Sequence, residues 1–452
     1  MAANGSRFLF VTWDGGGNIP PELAIARRLV ARGHSVRFLC DPTLEAEVRA
    51  AGCEMTPWTT APHRKSRDRG GDIIRDYEWK NPLEMIEKYV GQFVGEPAPR
   101  WAADTMAELE RRPVDVVITE LALPATLIPV EKLGIPAVIV VPNIWILPTP
   151  GIPPMGPGFA PARGPIGWLR DATMRWLTRW AFSAAFKPIN ATRQAFGLAP
   201  VADVYEQMTR ADEIHVLTSP AFDLTSPALP AHLRYAGPQL DDPIWVEPWR
   251  SPWAENDIRP LVLVGLSSTF QDQIATLRRI IDALSTLPVR AVLTLGPTIL
   301  PSEVQGTENV HVVPTAPHGP LLEKASVLVT HCGHGTTLKG LAAGVPIVCL
   351  PMGRDQNDTA ARVAHRGAGV RLKPTAPASR IRAAVAEVLE NPTYRESAQR
   401  LARALAAREG CIDPIASLER LARQARPGTS GRSAASSSRS SAADYSRFAA
   451  SR

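Results

Sequence analysis

The sequence predicts an α/β protein made of two doubly wound, Rossmann-like parallel-sheet domains that face each other. Three observations predict it. Short apolar runs rich in Val, Ile, Leu and Phe recur at 7–12, 35–40, 114–119 and 136–141, and such near-continuous runs mark strands buried on both faces, hence a parallel sheet. Helical patterns alternate with them. A polar, Pro-rich, aperiodic stretch at 239–259 breaks the alternation, which restarts with runs at 261–266, 290–295, 309–313, 326–330 and 345–350.

The expected division is therefore an N-terminal domain over 1–238, a linker over 239–259 and a C-terminal domain over 260–412. A helix over 413–425 follows, placed to cross back to the first domain, and then a Ser/Ala/Arg-rich tail over 426–452 with the composition of disorder. In the first half, "PPELAIARRLVARG" reads as a helix closed by Gly33. The stretches "PLEMIEKYVGQFV" and "RWAADTMAELERR" form a longer helical pair, and "EIHVLTS" reads as a last strand. Between 142 and 165 the chain is dense in Pro and Gly and carries Trp145, Met155 and Phe159, followed by a helical stretch with Trp168, Trp176 and Trp180. This region reads either as a loop with a helix packed on the sheet or as the wall of an apolar pocket. In the second half, helices fit at 271–286, 335–343, 356–367, 377–390 and 393–408.

Composition excludes several classes. Of the net charge of +6, four units sit in the tail, where five arginines face one aspartate, so no basic surface speaks for a nucleic-acid partner. The cysteines number five, without a CxxC pair, which fits buried thiols in a reducing compartment. The chain runs straight into a strand from its first residues, without the apolar core of a signal peptide, and no window approaches a membrane span. The expectation is a cytoplasmic protein, monomer or homodimer.

The richest stretch is "VLVTHCGHGTTLKGLAAGVPIVCLPMGRDQNDTAARV", 327–363. A buried strand delivers His331 at its carboxyl end. Gly333 and Gly335 let backbone N–H groups approach a ligand closely, and Thr336 and Thr337 open a helix whose N-terminus carries partial positive charge. That combination suits a pyrophosphate. Asp355 and Gln356 end the next strand with an acceptor and an amide, the groups that bind adjacent hydroxyls of a polyol. No metal-ligand set is read: His331 and His334 stand three apart, but without a carboxylate cluster beside them.

These motifs resemble the nucleotide-sugar-dependent glycosyltransferases of family one, which have the GT-B fold, and most closely the bacterial branch that decorates natural products such as macrolides. The resemblance covers most of residues 7–425. It implies that His331 contacts the donor pyrophosphate, that Gly335, Thr336 and Thr337 bind phosphate, and that Asp355 and Gln356 recognise sugar hydroxyls. It further implies that Ser267 and Ser268, in "VLVGLSS", lie near the phosphates and that His318, in "TAPHGPLL", lies beside the nucleobase. The implied reaction is an inverting, metal-independent transfer from a UDP- or dTDP-sugar, a co-substrate rather than a bound cofactor, to a hydrophobic acceptor. Trp13, Trp145, Met155 and Phe159 are the residues assigned to that acceptor.

The chain departs from the family in three places. Lys339 stands where a Glu often holds the ribose, and Thr315 where plant members stack a Trp on uracil. The usual first-loop His, the general base, is Asn18 in "GGGNIPP", and the Asp that orients it is Glu120 in "VDVVITELALP". An amide cannot supply base catalysis. Glu120 as the base with Asn18 orienting, Asp14 as the base, an acceptor acidic enough to need no base, and loss of catalysis all remain open; the first is the working expectation. Two rivals share the fold class. A dinucleotide enzyme fails on spacing, since G-x-G-x-x-G would need Gly where Pro20 stands. A nucleotide-sugar epimerase or a non-catalytic partner would need no acceptor wall or no intact donor motif.

Overall fold

The computed structural model describes residues 5–79, 81–242, 249–254, 256–266 and 268–425. Ser267 and the tail 426–452 therefore lie outside the described residues. Two all-parallel sheets form. The first takes β1 (Arg7–Val11), β2 (Ser35–Cys40), β3 (Glu54–Pro57), β4 (Val116–Glu120), β5 (Ala137–Val141), β6 (Glu213–Val216) and β7 (Leu233–Tyr235) in the order β3-β2-β1-β4-β5-β6-β7. The second takes β8 (Leu261–Gly265), β9 (Arg290–Thr294), β10 (Val310–Val313), β11 (Ala325–Thr330), β12 (Ile347–Cys349) and β13 (Gly369–Arg371) in the order β10-β9-β8-β11-β12-β13.

The central strands are the continuous apolar runs, buried along their length because helices cover both faces. The strands missing from the sequence reading, β3, β7 and β13, are short edge strands of mixed burial, with no continuous run to announce them. In each sheet the winding reverses once, between β1 and β4 and between β8 and β11. Ligands of doubly wound sheets bind outside the carboxyl ends of the strands at such a reversal. Asn18 and Glu120 follow the first reversal, and Ser268 and His331 the second.

Local chemistry sets the first loop. The helix Ile19–Ala31 carries prolines in its first turn, where a missing N–H costs nothing, and it closes at Gly33 with φ +83°. Asn18 stands at its N-cap but makes no cap hydrogen bond, so its side chain is available for partners other than the helix. The expected helix after Pro82 widens over Ile86–Gly95 into π-type turns, which bring Phe93 to 4.8 Å from the Trp13 ring.

The helix Pro414–Ala425 packs Ile415, Leu418, Leu421 and Ala422 among Phe8, Ile25 and Leu29 of the first sheet's layer, so the chain returns to its N-terminal half. The two halves are also pinned directly. Arg362 donates to Asp223 at 2.6 Å with both side chains buried, and Arg354 holds Asp76 at 2.8 Å. Asp358 accepts from the N–H groups of Gly156 and Gly158 at 2.7 and 3.1 Å.

The helix Gly164–Phe182 corrects an expectation. Trp168, Trp176 and Trp180 do not pack on the sheet but stand 64%, 65% and 54% exposed, while Ile166, Gly167 and Arg170 at the start of the helix line a cavity with Ala160, Pro161 and His365. Only Asp171 and Ala181 of that helix are buried. The preceding Pro/Gly loop is drawn instead to the second domain by Asp358.

Candidate active site at the two sheet reversals

On the N-terminal side the site is a carboxylate held by an amide. Asn18 Nδ2 donates to Glu120 Oε2 at 2.8 Å and to the Trp13 carbonyl at 2.8 Å. The carbonyl can only accept, so the amide nitrogen must face it, and the orientation of the Asn18 side chain follows. Asn18 Oδ1 is left buried without a partner in the protein. Both donors of the amide are thus spent on positioning, and the oxygen remains for a hydroxyl.

Glu120 is 8% exposed, and burial pushes its carboxyl up to about 8, with Asn18 and Trp13 pulling it partly back. Glu22 escaped the sequence reading. It lies four residues after Asn18, on the same helix face, and accepts from Thr12 Oγ1 at 3.1 Å. Burial first, and then the charge of Glu120, push the Glu22 carboxyl well above the usual range. The two buried carboxyls therefore titrate as a pair. Tyr89, also unforeseen, faces Glu120 from the π-type turns.

Asp14 sits differently. Its oxygens accept from Thr43 Oγ1 at 2.7 Å, Arg67 Nε at 3.0 Å and the Gly16 N–H at 3.2 Å. It caps its own turn and anchors Arg67, a structural duty that leaves little carboxylate for an incoming proton.

Of the residues assigned to the acceptor, Trp13 packs on Phe93 beside the Asn18–Glu120 pair. Trp145 is a core residue, its indole N–H bonded to Thr149 Oγ1 at 2.8 Å and its backbone N–H to Asp223 at 3.0 Å. Phe159 lies under the Arg170 guanidinium at 4.3 Å. Met155 is half-buried in the loop that reaches Asp358. The four are not one wall: only Trp13 adjoins the carboxylate.

On the C-terminal side, the helix His334–Ala342 starts at Gly333, and the N–H groups of its first turn have no helical carbonyl to meet. A Cβ on Gly333 would lie 2.6 Å from His331 Nε2, so glycine is needed for the imidazole to sit where it does. Gly335 is exposed and Thr336 half-exposed, open for a phosphate, whereas Thr337 is fully buried and turned inward toward Cys332. Burial lowers His331 to about 3 and His318 to about 4, so both imidazoles are neutral at physiological pH. His318 Nε2 pairs with Thr294 Oγ1 at 3.1 Å.

Asp355 is half-buried and raised by burial, and Asn143 from the loop after β5 reaches it across the cleft. Gln356 is largely spent inside the protein: Oε1 accepts from the Met352 and Gly353 N–H groups, and Nε2 donates to Gln271 at 2.8 Å. Its first role is to shape the loop that presents Asp355. Lys339 pairs with Asp242 of the linker at 2.5 Å, and Asp242 also accepts from the Gly319 N–H at 2.9 Å.

The two sides meet at Gly16. With φ +84°, its Cα comes so near the second domain that a Cβ would lie 2.7 Å from Thr269 and 3.0 Å from Ser268 Oγ. Arg354, at φ +54°, touches Thr269 Oγ1 at 3.1 Å while holding Asp76. Among the described residues, no group of three or more His, Cys, Asp or Glu stands together as a metal site.

Residues 278–420 match the family model described as erythromycin biosynthesis protein CIII-like, C-terminal domain. The chain is 29% identical over 426 residues to the 4'-demethylrebeccamycin synthase of Lentzea aerocolonigenes, an alignment covering 92% of this chain and 100% of that protein. Among solved structures, the glycotransferase of kitacinnamycin superposes with a TM-score of 0.73 at 23% identity, over 92% of this chain and 99% of the other. The glycosyltransferase VinC, solved with dTDP, superposes with a TM-score of 0.63 at 18% identity, over 92% and 100%.

Proposed function

We propose that this chain, a glycosyltransferase of the GT-B fold related to those of antibiotic biosynthesis, transfers a sugar from a UDP- or dTDP-carrier to an apolar small molecule with inversion at the anomeric carbon. One observation carries the assignment of roles: the 2.8 Å contact between Asn18 and Glu120 at the sheet reversal, with Glu120 raised to about 8. A carboxylate raised by desolvation near neutrality is a competent general base.

In this reading Glu120 takes the acceptor's hydroxyl proton as the oxygen bonds to the anomeric carbon and the carbon–oxygen bond to the diphosphate breaks. Asn18 aims Glu120 with one amide N–H, is itself fixed by the other on the Trp13 carbonyl, and offers Oδ1 to the hydroxyl. The leaving diphosphate meets the first turn of the helix at His334 and the imidazole of His331. Asp355 receives sugar hydroxyls, steadied by Asn143 and by the loop that Gln356 closes. No cofactor and no resident metal ion are assigned to the step.

The test is nucleoside diphosphate release across a donor-by-acceptor panel. Glu120→Gln keeps the shape and removes the base, so turnover on alcohol acceptors should fall by about 10²–10⁴-fold. Asp14→Asn should cost far less. A fully active Glu120→Gln beside a dead Asp14→Asn would move the base to the first loop and end this assignment.

A further inference from the structure

The helix Gly164–Phe182 is poorly accounted for by the fold. Six of its apolar side chains are exposed: Ile166 by 84%, Leu169 by 69%, Trp168, Trp176 and Trp180 by more than half, and Leu177 by 39%. At 100° per residue, Leu169, Trp176 and Trp180 fall within about 40° of one another, so they form the crest of one face. Three half-exposed tryptophans, at roughly 150–250 Å² each when buried whole, already leave on the order of 300 Å² of ring surface in water. A contiguous apolar patch of a few hundred Å² on one element is often functional.

Charge decides what covers it. Between 163 and 187 the chain carries Arg163, Arg170, Arg175, Arg179 and Lys187; Arg170 is tied to the buried Asp171 and Arg179 to Asp203, so the excess positive charge of this face comes from Arg163, Arg175 and Lys187. A second copy of the chain, docked by two-fold symmetry, would set these cations against themselves. A surface that is apolar beneath and anionic at its headgroups matches both features, because tryptophan favours the interface and arginine its phosphates. We propose that this helix is an in-plane membrane anchor that seats the protein on an anionic lipid surface. Its crest enters the headgroup boundary while the sheets stay in water. The helix packs against the π-type turns that carry Tyr89 and Phe93, so the bilayer lies beside the wall of the acceptor cleft.

The experiment is co-sedimentation of the full chain with vesicles of phosphatidylcholine alone and of phosphatidylcholine with phosphatidylglycerol. Binding should require the anionic lipid, and Trp176→Ser with Trp180→Ser should weaken it at least about tenfold. Nucleoside diphosphate binding by the same variant should be unchanged, which shows that it folds. In the unaltered protein, brominated lipid should quench tryptophan fluorescence on binding, a readout that needs no variant. Binding that the double substitution leaves intact would assign it to the basic tail and overturn the proposal. So would sedimentation of neither protein, or a wild-type dimer that the substitutions convert to monomer.

Discussion

Two buried carboxyls, Glu22 and Glu120, dominate the chemistry at the scale of single residues. Both are raised above the ordinary carboxylate range, Glu120 to about 8. An acid whose folded pKa exceeds its unfolded value binds its proton more tightly in the native state. Its contribution to stability is therefore fully present below the unfolded pKa near 4.5 and is lost as pH rises through the folded pKa. Stability should accordingly decline between about pH 5 and pH 9. Glu120→Gln and Glu22→Gln should each flatten that decline and raise Tm at pH 9 by about 2 °C or more, measurable by calorimetry. Activity should run the other way: kcat/KM should rise with pH through an apparent pKa near 8 as Glu120 ionises. Glu22→Gln should move that limb by less than about one unit, since it is the charge of Glu120 that raises Glu22 and the pair's first proton then leaves from Glu120. A limb displaced by more than one unit would mean that Glu22 carries charge in the working enzyme.

Single elements decide how closely the donor is approached. The turn before the helix His334–Ala342 has room for His331 only because Gly333 lacks a Cβ. Gly333 has φ −57°, which any residue adopts, so Gly333→Ala adds no backbone strain and acts by displacing the imidazole alone. Nucleoside diphosphate affinity should fall by about tenfold or more, the value of one lost charged contact, while Tm moves little. Calorimetric titration reads the first and thermal unfolding the second; unchanged affinity would detach this turn from the phosphates.

At the scale of the whole molecule, the cleft exists because the two sheets are fastened across it. Arg362 and Asp223 form a buried pair, and Asp223 also accepts from the Trp145 N–H, tying the pair to the first domain's core. Removing one partner leaves a buried charge uncompensated, at a cost of about 3–5 kcal/mol. Arg362→Met should show that loss in denaturant unfolding, and adding Asp223→Asn should recover a good part of it. Strictly additive losses would show that the pair is not coupled.

What the sequence by itself determined was set by local physics. Continuous apolar runs announced the central strands of both sheets, because full burial leaves no polar positions. The Gly and Thr residues after β11 announced the helix start that faces the cleft, because backbone approach demands small residues. Position 18 could be read as Asn where a base was expected, and Glu120 as the acid opposite. The tertiary structure decided the rest. Glu22 joined Glu120 only when the helix Ile19–Ala31 was laid beside the end of β4, although the four-residue step from Asn18 was in plain view. Asn143 met Asp355, and Asp358 met the Gly156 loop, through contacts that span two domains and leave no trace in local pattern. Gln356 and Thr337 carried the right chemistry for a ligand, yet packing turned most of it inward. The tryptophans of the helix Gly164–Phe182 suggested packing on the sheet or a pocket wall, and the tertiary structure left them exposed. A side chain's type records what it can bind, whereas its environment, assembled from distant segments, decides what it meets.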